Sequence, residues 1–249
     1  DISVRNPQQL RDALGLDCLG ELPAIPRRWG GFGRCDEVAR APGSPFGRSI
    51  RGIKAAVGIA ALDRPIRFVG VTSVSPGEGK SMLAGNLATA WAMSGARTLL
   101  IDADAEHSVF SKPAQHDAGG ERTGKGPEWT GQIRAHPGQA FDILSSGTVE
   151  RYDLLAAGHA QETFACLGGH EMVIVDLPPF TSGNHGVAAA AQLDGVVIAV
   201  EWGRTSQDAL AEQIRALVAA RAPVPGVVLT KVRKSSNDRL RRRARRTPR

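Results

Sequence analysis

The residues best suited to chemistry are Lys80 and Ser81, which close the run Ser75-Pro76-Gly77-Glu78-Gly79-Lys80-Ser81. An apolar stretch at 66–71 precedes the run, and residues 82–91 after it read as a helix. Strand, glycine-rich turn, Gly-Lys-Ser and helix together make the context of a phosphate-binding loop. Successive backbone N–H groups and a helix N-terminus form a concavity for phosphate oxygens, and glycine lets the backbone come close. In such a loop Lys80 reaches the β- and γ-phosphates and Ser81 ligates Mg²⁺. Ser75, Pro76, Gly77, Glu78, Gly79, Lys80, Ser81 and Met82 are therefore the candidate ATP-contacting residues. The full pattern has Gly or Ala at position 74, where this chain has Val74. The alternative is a glycine-rich strand–helix turn that binds nothing.

Three carboxylates join this set. Asp102 and Asp104 end the apolar run at 98–104, and Asp176 ends the run Met172-Val173-Ile174-Val175. Mg²⁺ takes one or two carboxylates together with substrate phosphates. The three aspartates, with Ser81, are candidate metal ligands, direct or through water, and one of them can orient or deprotonate a nucleophile. Taken singly, the plainer alternative for each is a helix cap or a solubilising charge.

These residues need a scaffold. Apolar runs at 66–74, 98–104, 141–144, 172–176, 195–200 and 226–232 suit strands covered on both faces. Helices are expected at 7–15, 48–62, 82–95, 152–167 and 205–222, the last with Thr205-x-x-Asp208 as a capping box. The alternation predicts an α/β fold: a doubly wound, mostly parallel sheet with helices on both faces, as in P-loop NTPases. In that architecture ligands sit beyond the carboxyl ends of the strands, where the loop and all three aspartates fall. Residues 1–47 read as an N-terminal docking segment and linker, 48–233 as the nucleotide-binding domain, 111–139 as a flexible insertion within it, and 234–249 as a basic disordered tail.

Composition narrows the class. The 249 residues carry a net charge of +6. From Lys231 onward there are ten Lys and Arg against Asp238, a net +9, which leaves −3 over residues 1–230. The basicity belongs to the tail. Such a tail suits anionic lipid at ~1 kcal/mol per basic residue near the surface, salt-dependent binding to DNA, or plain solvation. It lacks aromatics for single-strand stacking. No run reaches the roughly 18 apolar residues of a membrane span. Cys18, Cys35 and Cys166 are scattered, odd in number and without a CxxC, which fits reduced thiols. Asp1 in first place suggests a fragment whose upstream part holds membrane spans.

Pro76-Gly77-Glu78-Gly79-Lys80-Ser81, Leu99-Leu100-Ile101-Asp102-Ala103-Asp104 and Val173-Ile174-Val175-Asp176-Leu177-Pro178-Pro179 resemble the Walker A, A′ and B motifs of bacterial tyrosine kinases. These are the cytoplasmic domains of exopolysaccharide chain-length and export proteins, in the deviant P-loop group that includes septum-placement and partition ATPases. Leu19-Gly20-Glu21-Leu22-Pro23, Gly203-Arg204-Thr205-Ser206 and 226–232 extend the likeness over most of residues 5–233. The resemblance implies ATP and Mg²⁺ as cofactors, with Lys80, Asp102 and Asp104 catalytic. Asp102 would be base or metal partner, with Asp104 and Asp176 assisting at the metal. It also implies a homo-oligomeric ring, an own or partner transmembrane and periplasmic chain-length domain, and a place at the cytoplasmic face of the bacterial inner membrane.

Departures from the family pattern are equally specific. The family ends in a tyrosine cluster, whereas Tyr152 is the single tyrosine here. Pro45 replaces the Glu of a Glu-x-x-Arg-x-x-Arg ring contact, although Arg48 and Arg51 remain. Glu106-His107 replaces a basic pair, His185 an Asp and Thr230 an Asn. Three readings follow: a kinase-like regulator of polysaccharide export, an ATP-dependent scaffold without transfer, and a partition-type ATPase with a DNA-coating tail. Lipid or no partner for the tail ranks ahead of DNA.

Overall fold

The structure, a computed structural model, describes residues 3–25, 35–60, 65–110, 127–135, 140–151, 153–156, 158–183 and 185–233. Tyr152 and the basic tail lie outside these residues. Strands are β1 (Cys18–Pro23), β2 (Phe68–Ser73), β3 (Thr98–Asp102), β4 (Arg134–Ala135), β5 (Asp142–Leu144), β6 (Met172–Asp176), β7 (Gly195–Glu201) and β8 (Gly226–Val232). They form one sheet in the order β1-β8-β7-β2-β6-β3-β5-β4. Every pairing is parallel except β4 with β5 at the edge.

Alternation along the buried strands divides the core between the two faces. Leu99, Ile101, Val173, Val175, Val196, Ile198, Val227 and Leu229 join one cluster. Val69, Val71, Leu100, Ile174, Val197, Ala199 and Val228 join the other. Successive residues of a strand point to opposite faces, so a strand apolar throughout requires helices on both sides. One face is covered by α3 (Pro45–Ala60) and α4 (Lys80–Ala92), which contribute Ile50, Ile53, Val57, Leu83 and Leu87. The other carries α1 (Pro7–Leu14), α6 (Ala160–Cys166), α7 (His185–Ala190) and α8 (Gln207–Ala219) through Leu10, Phe164, Ala190, Leu210 and Leu217. The doubly wound parallel fold expected from sequence is the fold observed.

Several local expectations differ. The presumed linker contains α2 (Glu37–Arg40), with Cys35 and Val38 buried against α4. Helix α3 starts at Pro45, not 48, because Ser44 caps it by accepting from Gly47 N–H at 3.0 Å. Proline suits that first helical position, whose N–H needs no partner. The helix expected over 152–167 is confined to α6, preceded by α5 (Ser146–Arg151) and by turns that include positive φ at Asp153 and Gly158. Within 111–139, residues 127–135 fold into a short 3₁₀ turn and β4, and Trp129 is buried in the core; residues 111–126 and 136–139 lie outside the described residues. Val218, expected on the inner face of α8, is 66% exposed, while Leu210 and Leu217 are buried and Ile214 packs against the same cluster. The cap of α8 is Ser206, accepting from Ala209 N–H at 3.3 Å, and not Thr205.

Candidate nucleotide-binding site

Strand β2 delivers the loop and α4 receives it. The turn at 74–79 reverses between them through Gly77 (φ 81°) and Gly79 (φ 99°), which L-residues with a Cβ rarely adopt. Gly79 occupies the residue before the first turn of α4, so Lys80 and Ser81 open a 13-residue helix. The carbonyl of Gly77 accepts from Lys231 Nζ at 2.5 Å, and that of Glu78 accepts from the Thr230 hydroxyl. Both carbonyls are thereby drawn toward β8. In a planar trans peptide the N–H points opposite to the carbonyl, so the N–H groups of Glu78 and Gly79 are aimed away from β8. Consecutive amides so aligned are the raw material of an anion cradle.

The Glu78 side chain takes no part in the backbone cradle. Its carboxylate turns inward and is 2% exposed. Oε2 accepts from Val74 N–H at 2.9 Å and Ser75 N–H at 3.1 Å, and Oε1 accepts from the Thr205 hydroxyl at 2.5 Å. Burial pushes its pKa up, against those three donors. The side chain braces the loop from inside, and the amides of residues 74 and 75 are occupied by it. Ser75 and Met82 are half-buried and Pro76 is exposed at the loop surface.

Below the loop the charges meet. Lys80, 4% exposed, places Nζ 2.8 Å from Asp104 Oδ2, 3.2 Å from Asp176 Oδ1 and 3.3 Å from Ser81 Oγ. Asp102 and Asp176 are direct partners in the β3–β6 register, at the carboxyl ends of adjacent central strands. Both are fully buried. Asp102 Oδ1 accepts from Asp104 N–H at 3.3 Å, and Oδ2 accepts from the Ser108 hydroxyl at 2.5 Å. Asp104 Oδ1 accepts from His107 N–H at 3.1 Å.

Electrostatics follow from that crowding. Burial alone would push the Lys80 ammonium down, but Asp176 and Asp104 more than offset it, and its pKa stands above the ordinary value. Asp176 is pushed up to about 6, chiefly by desolvation and further by Asp102, while Lys80 pulls the other way. Asp176 Oδ2 has no hydrogen-bond partner among the described residues. A buried carboxylate oxygen without a donor is costly unless a ligand completes it.

The four candidate metal ligands lie close together around Lys80. Among the described residues no group of three or more His, Cys, Asp and Glu side chains is gathered as a metal-binding cluster. Lys80 lies between Asp104 and Asp176 and neutralises them. A magnesium ion here would rest on Ser81 and one or two carboxylates, with phosphates completing the shell, in keeping with its reluctance to shed water. Thr205, Thr230, Lys231 and Ser108 are the residues the sequence reading did not place in the site. The adjacency of Thr205 and Ser206 held a signal, since only one of two cap-competent residues can cap α8.

Comparison with known proteins agrees with this geometry. The chain is 28% identical over 199 residues to the tyrosine-protein kinase YwqD of Bacillus subtilis (strain 168), covering 76% of this chain and 82% of that one. It is 30% identical over 203 residues to the succinoglycan biosynthesis transport protein ExoP of Rhizobium meliloti (strain 1021), covering 78% of this chain but 26% of ExoP. The chain thus matches about a quarter of that relative's length. Among solved structures it is similar to the chimerical protein CapA2B2, with a TM-score of 0.73 at 25% identity, covering 92% of this chain and 100% of that one. The sequence profile of the CobQ/CobB/MinD/ParA nucleotide binding domain matches residues 69–248. With its glycine loop, buried lysine and strand-end aspartates, the chain belongs to this CbiA family of nucleotide-binding domains.

Proposed function

We propose that the chain binds ATP with Mg²⁺ and moves the γ-phosphate, as a kinase-like regulator of exopolysaccharide polymerisation and export. The observation that carries the reading is Lys80: an ammonium buried at a helix N-terminus, under a loop with outward-aimed amides, between two strand-end carboxylates. Nothing in the fold requires a buried lysine at that point. Phosphoryl transfer asks a protein mainly for positioning and charge neutralisation. Lys80 exchanges its carboxylate contacts for phosphate oxygens, and the amides of Glu78 and Gly79 hold the same group. Ser81 Oγ and Asp176, whose Oδ2 lacks a partner, are the residues suited to hold the metal, with Asp104 beside them. When bound, magnesium supplies charge neutralisation on the β- and γ-phosphate oxygens. Asp102 accepts the proton of the attacking hydroxyl or orients a water in this reading.

Similarity to YwqD and ExoP supports the kinase and export parts of the reading. By the same argument the chain works as a homo-oligomer beside its own or a partner's transmembrane chain-length domain, at the cytoplasmic face of the inner membrane. Among the described residues no helix is long and apolar enough to cross a membrane.

A second reading, an ATPase or scaffold that signals by nucleotide occupancy, is favoured by the single tyrosine of the sequence. Incubation with γ-labelled ATP and Mg²⁺ separates the two. Label on Tyr152 or on an added tyrosine peptide is the expected result for a kinase. Phosphate release without protein label gives the ATPase. No binding and no release would overturn both.

A further inference from the structure

The residues at the far side of the phosphate loop have no part in the mechanism so far, yet they form a continuous chain of contacts. It begins with Val4, fully buried, whose N–H donates to Thr205 O at 2.9 Å and whose carbonyl accepts from Gly203 N–H at 2.7 Å. Trp202 Nε1 donates to Arg5 O at 2.6 Å, and Ser3 bridges Ser206 in antiparallel fashion. The leading segment is thus strapped across the turn between β7 and α8. That turn is closed on itself as well: Thr205 Oγ1 accepts from Glu201 N–H at 3.0 Å, and Thr205 N–H donates to Glu201 O at 3.2 Å.

Thr205 is 4% exposed, and its hydroxyl proton goes to Glu78 Oε1. The hydroxyl therefore both accepts and donates, which leaves it one orientation. Glu78 is the inner brace of the loop and holds the amides of Val74 and Ser75. Buried carboxylates without a cation depend on such donors, because an unpaired charge in a low-dielectric site is costly. Loss of the Thr205 hydroxyl leaves Glu78 with two backbone donors and freedom to turn outward, toward the space the phosphates need.

We infer that Thr205 is a positioning residue for triphosphate binding, acting through Glu78, and that the Val4–Arg5 strap holds Thr205 so that the leading segment and the phosphate loop move as one unit. The inference rests on the nucleotide-binding reading above and adds a route by which whatever holds the leading segment sets the affinity of the loop.

The test uses the full chain and titrates MgATP by calorimetry and adenosine by saturation-transfer NMR, with thermal unfolding in parallel. Thr205→Val, isosteric but without the hydroxyl, is expected to weaken MgATP about tenfold while adenosine is unchanged. Thr205→Ser restores MgATP affinity to within about twofold. Val4→Ala weakens MgATP about threefold in the wild-type background and adds nothing to Thr205→Val. MgATP binding by Thr205→Val equal to wild type overturns the proposal, as does a parallel loss of adenosine affinity, which marks general loosening. Additive effects of Val4→Ala and Thr205→Val overturn the strap. A wild-type chain that binds no MgATP overturns the nucleotide reading itself, which the other outcomes leave intact.

Discussion

Replacing Lys80 with methionine probes the centre of the site, because the two side chains have similar length and differ in charge. The wild-type ammonium is 2.8 Å from Asp104 and 3.2 Å from Asp176, with about 5% of the side chain exposed. Removing one partner of a buried pair commonly costs ~3–5 kcal/mol, most of it the stranded charge. Here one stranded charge has an escape. Asp176 already sits at about 6 with Lys80 present, and without the ammonium its pKa rises further, so near pH 7 it takes up a proton. The expected loss is therefore about 3 kcal/mol at pH 7, the low end of that range, within the ~5–15 kcal/mol stability of a domain.

The pH dependence is the sharper test. In the variant, folded Asp176 holds a proton that the unfolded chain, titrating near the ordinary 3.8, does not. The folded state binds more protons, so variant stability falls as pH rises, by about 1.4 kcal/mol per unit for one proton. Wild-type Asp176 has already ionised above pH 7, so the gap between the two proteins widens from pH 7 to 8 and narrows toward pH 6. Urea unfolding at pH 6, 7 and 8, with unchanged denaturant slope, reads this directly. Calorimetry of the same samples should show MgATP affinity reduced more than tenfold. A gap that does not vary with pH, or undiminished MgATP affinity, would refute the reasoning.

Three further outcomes are expected. Asp102→Asn removes a like charge beside Asp176, so the carboxyl carbon resonance of Asp176, followed by NMR without nucleotide, should titrate below the wild-type midpoint of about 6; an unchanged or higher midpoint contradicts the placement. Gly85→Ala sets a Cβ 2.6 Å from Cys35 Cβ and 3.0 Å from the Cys35 carbonyl; overpacking of this kind costs ~1–3 kcal/mol, and thermal unfolding at the wild-type temperature would show that α2 does not pack there. Gly79→Ala forces φ 99° on a residue with a Cβ, a strain of ~1–2 kcal/mol, and should weaken MgATP while stability without nucleotide falls by that amount; unaffected binding would remove the loop from the site.

Much of this was readable in the order of residues. Apolar runs ending in Asp102 and Asp176, with a Gly-Lys-Ser turn between strand and helix, already placed the loop and the aspartates together at the carboxyl edge of a parallel sheet. What was misread shares one cause. Thr205 satisfies a local cap pattern as well as Ser206 does, and local pattern cannot say which hydroxyl is free to reach a residue 127 positions away. Glu78 looks like any loop carboxylate until Val74, Ser75 and Thr205 are seen around it. Cys35 and Val38 sit in a Pro- and Gly-rich stretch whose composition says linker, yet α4 offers Cys35 a seat at Gly85 and Val38 N–H an acceptor at Asn86.

By itself, then, the sequence determined the architecture and the family of the domain, because those depend on periodicity and on spacing within one strand–turn–helix unit. Only the tertiary structure decided where Lys80 rests, which carboxylate it leaves high in pKa, and which distant hydroxyl holds the loop. Those are set by distances of about 3 Å between residues far apart in the chain, and electrostatics in a buried site turns on such distances.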